Sequence, residues 1–462
     1  MPGRSIVRVA PGTETGPPRR GAIPTDPDAL RAFYDRPKEQ RLGFALCLSG
    51  GGFRASLFHL GALRRLNELG ILCQIDAISA VSGGSILAAH LAERIGDAWP
   101  TPEGADPDGP DIPAPSWTDL EARFLALTRR DLRTGPLVRR FALPVPGWFT
   151  PSTAVDALAE KYRRYLTDKT LAELPPRPEY IFGASELKFG RYWTFQRDYA
   201  GNPKGGSFRP SARWTVARAV AASSCFPPLF DPMHVAKEEF RGVTVDDPDQ
   251  VEDLHLSDGG VIDNTGYAAV WDRCDRVLVS DGGGQFQYQW KDLWVWRFLR
   301  YTSIVDARGR ASQRTWILSN LITRQQAGAY WSIGSDPHNY PGWERQAYSP
   351  GFVEGYIHRV RTDLNPFSPE EQAVLMNHGY LLADAAVRGH APHLARRPDA
   401  PLVVPNQTLL ENEDRARAAL AWSHSSWDSP RLYDGLRRRL DPIWPYDPEP
   451  RRGDRRTVSK AS

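Results

Sequence analysis

The sequence predicts an α/β protein: a central, mainly parallel sheet flanked by helices. Two observations carry that expectation. Short apolar runs alternate with segments of helical periodicity along most of the chain, and the two clearest strand–helix pairs follow one another directly. Of the 462 residues, 41% are hydrophobic, enough for a sizeable core. No internal repeat is visible.

The first 40 residues are rich in Pro, Gly and Arg and read as a loosely ordered arm. GFALCLS, at 43–49, then reads as a buried strand, and GGGFRAS as a glycine-rich loop. A helix follows with Leu57, Leu60, Leu63, Leu66 and Leu69 near one face, stopped by Gly70. A second strand, Ile75 to Val81, runs into Ser82, and Ser85 to Ile95 forms the next helix. Such a βαβα unit makes neighbouring parallel strands. Residues 96–116, dense in Pro, Gly and Asp, read as an exposed, lid-like insertion.

Further helices are expected at Trp117–Leu132, Ser152–Leu166 and Trp214–Ser223, with strands at Tyr180–Ser185 and Arg191–Phe195. Two more strands end at Ser257 and Ser280, and long helices cover Trp290–Leu321 and Pro369–Ala386. The expected layout is one domain over 41–390, a helical and irregular extension over 391–447 and a charged tail over 448–462.

Lys and Arg number 58 against 55 Asp and Glu, a net charge of +3, which gives no ground for a nucleic-acid partner. Cys47, Cys73, Cys225 and Cys274 are far apart, so neither a zinc site nor a disulfide framework is indicated and a reducing cytoplasm is expected. No secretory apolar stretch and no span of about 20 apolar residues appears. The acidic run VTVDDPDQVED lacks calcium-loop order, so no metal or cofactor is called for.

The chemistry gathers at two glycine-rich turns. Gly50, Gly51 and Gly52 can present backbone N–H groups at the start of a helix. Neither a phosphate-loop lysine nor a dinucleotide pattern accompanies them, which leaves an oxyanion hole. Ala80-Val81-Ser82-Gly83-Gly84 approximates the G-x-S-x-G nucleophile elbow, with alanine for the first glycine. Ser82 then needs a base, and a partly desolvated carboxylate can serve near neutral pH.

Together with these two turns, the run Ala221-Ala222-Ser223-Ser224-Cys225-Phe226-Pro227-Pro228-Leu229-Phe230 and the block Asp258-Gly259-Gly260-Val261-Ile262-Asp263-Asn264 resemble the four ordered blocks of patatin-like phospholipases. The resemblance spans about residues 44–284, with a fainter match at Asn377-His378-Gly379-Tyr380. It implies a patatin-like three-layer fold and hydrolysis of lipid acyl esters by a Ser-Asp dyad. Carried over, Ser82 is the nucleophile, Asp258 the base and Gly50, Gly51 and Gly52 the oxyanion hole. Arg54 resembles a basic residue that meets the substrate's phosphate. The implied partner is a lipid substrate, with peripheral membrane contact compatible. Asp281-Gly282-Gly283 is a second D-G-G, but the continuation V-I-D-N-T-G favours Asp258.

Two other readings stand beside this one. An α/β-hydrolase triad would use Asp258 with His338, His358 or His378, although only one helix separates the oxyanion loop from the elbow. A non-catalytic lipid- or partner-binding protein could keep the same scaffold. His59 reads as packing. Trp290, Trp294, Phe298 and Tyr301, interleaved with Lys291, Arg297 and Arg300, suit either core packing or a lipid interface, as does the loop Pro144–Pro151.

Overall fold

A computed structural model describes residues 41–136, 153–202, 206–208, 214–227, 229–236, 254–284, 294–421 and 423–424. The arm at 1–40, the loop at 144–151, Trp290 and the tail at 448–462 lie outside the described residues.

The chain opens as the sequence predicts. Strand β1 (Phe44–Leu48) is buried throughout, α1 runs over Gly52–Glu68, β2 over Ala77–Val81 and α2 over Gly83–Arg94. β1 and β2 pair in parallel, with Leu46 opposite Ile78. Both strands read as continuous apolar runs because both sheet faces are covered.

Next come α3 (Ala114–Thr128), α4 (Ala154–Tyr165), β3 (Glu179–Glu186), β4 (Arg191–Phe195), β5 (Ala200–Asn202), β6 (Gly206–Phe208) and α5 (Val216–Ser224). The chain continues through β7 (Met233–Val235), β8 (Leu254–Asp258), β9 (Arg276–Asp281), α6 (Trp294–Ile322), β10 (Ala327–Ser332) and α7 (Pro369–His390). The sheet order is β10-β9-β1-β2-β3-β4-β5-β6, with β8 on β3 and β7 on β8. Strands β10 to β3 form a parallel core. Beyond β3 every pairing is antiparallel, a wing that the sequence reading did not separate from the core.

Three layers result. Phe44, Leu46 and Leu48 point into a core shared with α1, α2, α5 and α7, while Ala45, Cys47, Val277 and Val279 face Tyr267 and Ile317 of α6 on the other side. α1 and α7 touch backbone to backbone, since a Cβ on Gly61 would lie 1.9 Å from Met376 O and one on Gly379 1.9 Å from Phe58 O. At the same interface Arg65 and Asp384, both inaccessible, pair at 2.7 Å. Arg65 also donates to Glu68 and to the carbonyls of Ala400 and Pro401, so its buried charge is fully partnered. Leu394, Leu409, Leu410 and Leu420 join this core, so the chain through residue 420 packs on the same body.

The insertion at 96–116 is largely exposed, as expected, but it is anchored at points the sequence did not mark. Trp99 and Ile112 are buried, Asp111 accepts from the Cys73 N–H at 3.0 Å, and the Asn67 side chain holds Ile112 through both its N–H and its carbonyl. It is stapled to the C-terminal end of α1, the end away from Ser82, and so is no lid over that residue.

Gly61→Ala forces α1 and α7 apart, and the expected loss lies at or above the upper end of the ~1–3 kcal/mol of an overpacked core. Thermal unfolding of the variant measures it.

Candidate active site

The site is built at one point on the edge of β3. β2 pairs along this edge up to Val81, opposite Gly183, and there the strand ends. β8 arrives from the opposite direction and pairs from Asp258, opposite Ala184, onward. Two strands thus meet nose to nose on consecutive residues of a third, and the residues at their tips, Ser82 and Asp258, are brought together. The Asp258 carboxyl accepts from Gly260 N–H at 2.8 Å and lies close enough to the Ser82 hydroxyl for that group to favour its charged form. Both residues are buried, at 7% and 2% exposure.

Ser82 has φ 51° and ψ −114°, a left-handed conformation that strains a residue with a side chain by ~1–3 kcal/mol. Ser223 holds it there. The Ser223 hydroxyl donates to Gly183 O at 2.6 Å and accepts from the Ser82 N–H at 2.9 Å, with Ser85 Oγ at 2.8 Å. The following glycine is forced by contact, since a Cβ on Gly83 would meet Gly52 O at 2.2 Å. Ala80 is buried in the core, so its methyl is accommodated in place of the first elbow glycine.

The second turn lies alongside. Gly51 and Gly52 have φ of 140° and 57°, and Ser56 of α1 donates to both Gly52 O and Gly83 O, pinning the two helix starts together. The Gly50 N–H is consumed by Asn264 O at 2.9 Å, so Gly50 has no donor left for an oxyanion. The N–H groups of Gly51, Gly52 and Gly83 make no hydrogen bond among the described residues. The positive ends of α1 and α2 reinforce them.

Burial dominates the electrostatics. The Asp258 carboxyl is pushed up to about 7 by desolvation, opposed by the Gly260 N–H and the Ser82 hydroxyl. His59, beneath the glycine loop, meets Ser280 Oγ at 2.7 Å and Ser49 O at 3.0 Å, and burial lowers it to about 4, a neutral packing residue as the sequence suggests.

Arg54 has a different setting from the one the resemblance implies. It is 3% exposed, and its Nη1 and Nη2 donate to Val360 O and Gly282 O at 2.8 and 3.0 Å. Burial lowers it to about 10, partly offset by Asp281. Its guanidinium clamps the start of α1 to two loops and has little reach toward a substrate phosphate. Asp281 sits on β9, on the far side of β1 from β2, with its oxygens taken by Gly283 N–H and Tyr330 OH.

Among the described residues no histidine hydrogen-bonds Ser82 or Asp258. His338 bonds Asp336, His378 bonds Ile333 O in the α1–α7 core, and His358 lies beside Arg54. The sequence reading gave no role to Ser223, Ser56 or Asn264. Serines inside small-residue runs carry no periodic signal, and only the fold shows that Asn264 crosses to Gly50.

Comparison with known proteins agrees with this geometry. Residues 46–271 match the sequence model of the Patatin family, described as patatin-like phospholipase. This stretch of the chain belongs to the patatin-like phospholipases. The match covers Gly50 to Gly52, Ser82, Ser223 and Asp258 and stops before β9. No match was found among curated proteins. Similar solved structures include human GIVD cytosolic phospholipase A2, at 17% identity and TM-score 0.37 over 84% of this chain and 61% of that one. VipD from Legionella pneumophila is 14% identical, with TM-score 0.30 over 88% of this chain and 81% of that one. The chain thus spans about 61% of the human protein's length.

Ser223→Ala leaves the Ser82 N–H and Gly183 O unpaired in a dry site. The expected cost is ~1–3 kcal/mol in unfolding free energy. Denaturant titration of the variant against the wild type checks it.

Proposed function

We propose that the protein hydrolyses carboxylic esters of acylglycerols or phospholipids through an acyl-Ser82 intermediate, with Asp258 as the base. The observation that carries this reading is the strained Ser82 at a strand-to-helix turn, set beside a buried Asp258 at the tip of the abutting strand.

Asp258 takes the Ser82 Oγ proton as the oxygen attacks the ester carbonyl. The tetrahedral oxyanion accepts from the amides of Gly51 and Gly52, supplemented by Gly83. Collapse breaks the bond to the alcohol oxygen, which leaves with the proton held by Asp258. In the second half, Asp258 takes a proton from water, the hydroxide attacks the acyl-serine, and the carboxylic acid leaves as Ser82 regains its proton. A base near neutrality suits both proton transfers.

Apolar side chains around Asp258 support a lipid substrate. Val261 follows the aspartate by three residues and is 49% exposed, and Phe226, at 51%, follows Cys225, whose carbonyl accepts the Asp258 N–H. They form an apolar rim beside a polar, desolvated centre, the arrangement an acyl chain needs to approach from a bilayer. Among the described residues no helix is long and apolar enough to cross a membrane. Tyr301 of α6 is 60% exposed, which at that position favours interface over core packing.

Ser82→Ala and Asp258→Asn should each reduce ester turnover by ~10³-fold or more. A fluorophosphonate probe should label the wild type and not Ser82→Ala. Turnover retained in either variant, or labelling at another residue, defeats the proposal.

pH adds a further check. The base must be ionised, so kcat/KM should rise as pH climbs through about 7. Stability runs the other way: a carboxyl raised on folding favours the protonated native state, so this contribution is full below the ordinary carboxylate range and lost as pH rises through about 7. The unfolding free energy of Asp258→Asn should therefore gain on the wild type between pH 4 and pH 8. Parallel denaturant titrations at the two pH values measure that difference.

A further inference from the structure

A cavity of about 260 Å³ opens at the opposite end of α2 from the nucleophile, lined by His90, Arg94, Arg123, Arg130, Arg164 and Tyr165. α2 is 12 residues long, so this cavity lies about 18 Å along the helix from Ser82. Its volume falls just below the ~300–1,000 Å³ of pockets for drug-sized ligands, which suits a headgroup-sized ion better than an acyl chain.

We propose that this cavity is a binding site for a phosphate monoester. Four guanidinium groups and no carboxylate line it. Of the acidic groups close by, Asp119 is bound to Arg123 at 2.8 Å and Glu160 to Arg163 at 2.7 Å, and Arg94, Arg130 and Arg164 make no ion pair among the described residues. Two of these cations are held in place: the Arg130 and Arg164 guanidinium carbons stand 4.6 and 5.3 Å from the centre of the single Tyr165 ring. Stacking of this kind leaves the N–H edges of both groups available and lowers the entropy lost when they grip an anion.

His90 specifies the anion further. It is 4% exposed, and its Nε2 lies 2.9 Å from Leu120 O, so Nε2 carries the hydrogen and donates it. Nδ1 is then an acceptor, with no partner among the described residues. Desolvation, followed by the nearby Arg94 and Arg123, keeps the ring neutral. A ligand that satisfies the whole wall must bring negative oxygens for the arginines and one O–H for Nδ1. A phosphate monoester, whose second pKa is near 6, offers both in its singly protonated form. Sulfate offers no proton, and a phosphodiester offers none either. The phosphate can come from a lipid headgroup or from a soluble ester.

Calorimetric titration at pH 6.5 and fixed ionic strength, with inorganic phosphate, glycerol 3-phosphate and sulfate, tests the site. A second arm co-sediments the protein with phosphatidylcholine vesicles carrying phosphatidic acid or, at equal mole fraction, phosphatidylserine. The expected result is saturable binding of phosphate over sulfate, weakened roughly tenfold or more in Arg130→Gln/Arg164→Gln and in Arg94→Gln. Ester turnover and thermal unfolding should stay at wild-type values. Preference for phosphatidic acid over phosphatidylserine, lost in the same variants, assigns the phosphate to a headgroup; binding of glycerol 3-phosphate without vesicle selectivity assigns it to a soluble ester. Failure of the wild type to bind phosphate, equal affinity for sulfate, or unchanged binding in both variants overturns the proposal.

Discussion

Everything at the candidate active site depends on how one edge of β3 is shared. A parallel strand and an antiparallel strand cannot both occupy the same residues, so β2 must stop where β8 begins, at the Gly183–Ala184 step. That collision sets the distance between Ser82 and Asp258 through backbone hydrogen bonds rather than flexible side chains. It also explains the small residues there. Gly259 has no room for a Cβ, which would sit 2.6 Å from Gly183 O and 2.9 Å from the Val81 side chain. A strand tip is a poor place for a bulky residue and a good place for a reacting one, since its last side chain points past the end of the sheet.

The dryness of this junction is what gives the carboxylate its chemistry. Three glycine amides that make no hydrogen bond among the described residues, two helix starts and a desolvated acid lie together there, the elements of a preorganised field. The scaffold holds the field with groups that are themselves neutral or tied to backbone. His59 is neutral, Arg54 spends two donors on carbonyls, and Ser223 and Ser56 use their hydroxyls on backbone. Arg54 thereby ties the glycine turn to the loops after β9 and before α7, so residues beyond the family match help to hold the site.

The first βαβα unit, the elbow and the D-G-G block were legible in the sequence because each pairs a strong periodic signal with a glycine that stops it. Strand β10, with the sequence AGAYWS, was not, because two glycine–alanine steps and a short apolar tail resemble a loop as much as a strand. The antiparallel wing was hidden for a similar reason: β5, β6 and β7 are three residues each, too short for alternation to register. The insertion at 96–116 is largely exposed as its composition suggests, but composition could not show where it is anchored. Two buried side chains, Trp99 and Ile112, anchor it, and one aspartate fastens it. For Gly50 and Arg54 the residues were legible but their hydrogen-bond partners were not, since Asn264, Gly282 and Val360 are far away in sequence.

The order of the strands along the chain also carries a meaning for synthesis. Ser82 and its helix are complete early, yet the hydroxyl that fixes the elbow lies 141 residues later, and Asp258 comes later still. At ~5–20 residues per second of translation, a growing chain displays its serine for on the order of 10–30 s before Ser223 can reach it, and longer before a base exists. During that interval the nucleophile is unassembled by construction. On the proposed function, a centre divided between early and late segments stays inert while the chain is being made, with no inhibitor or removable segment needed to hold it off.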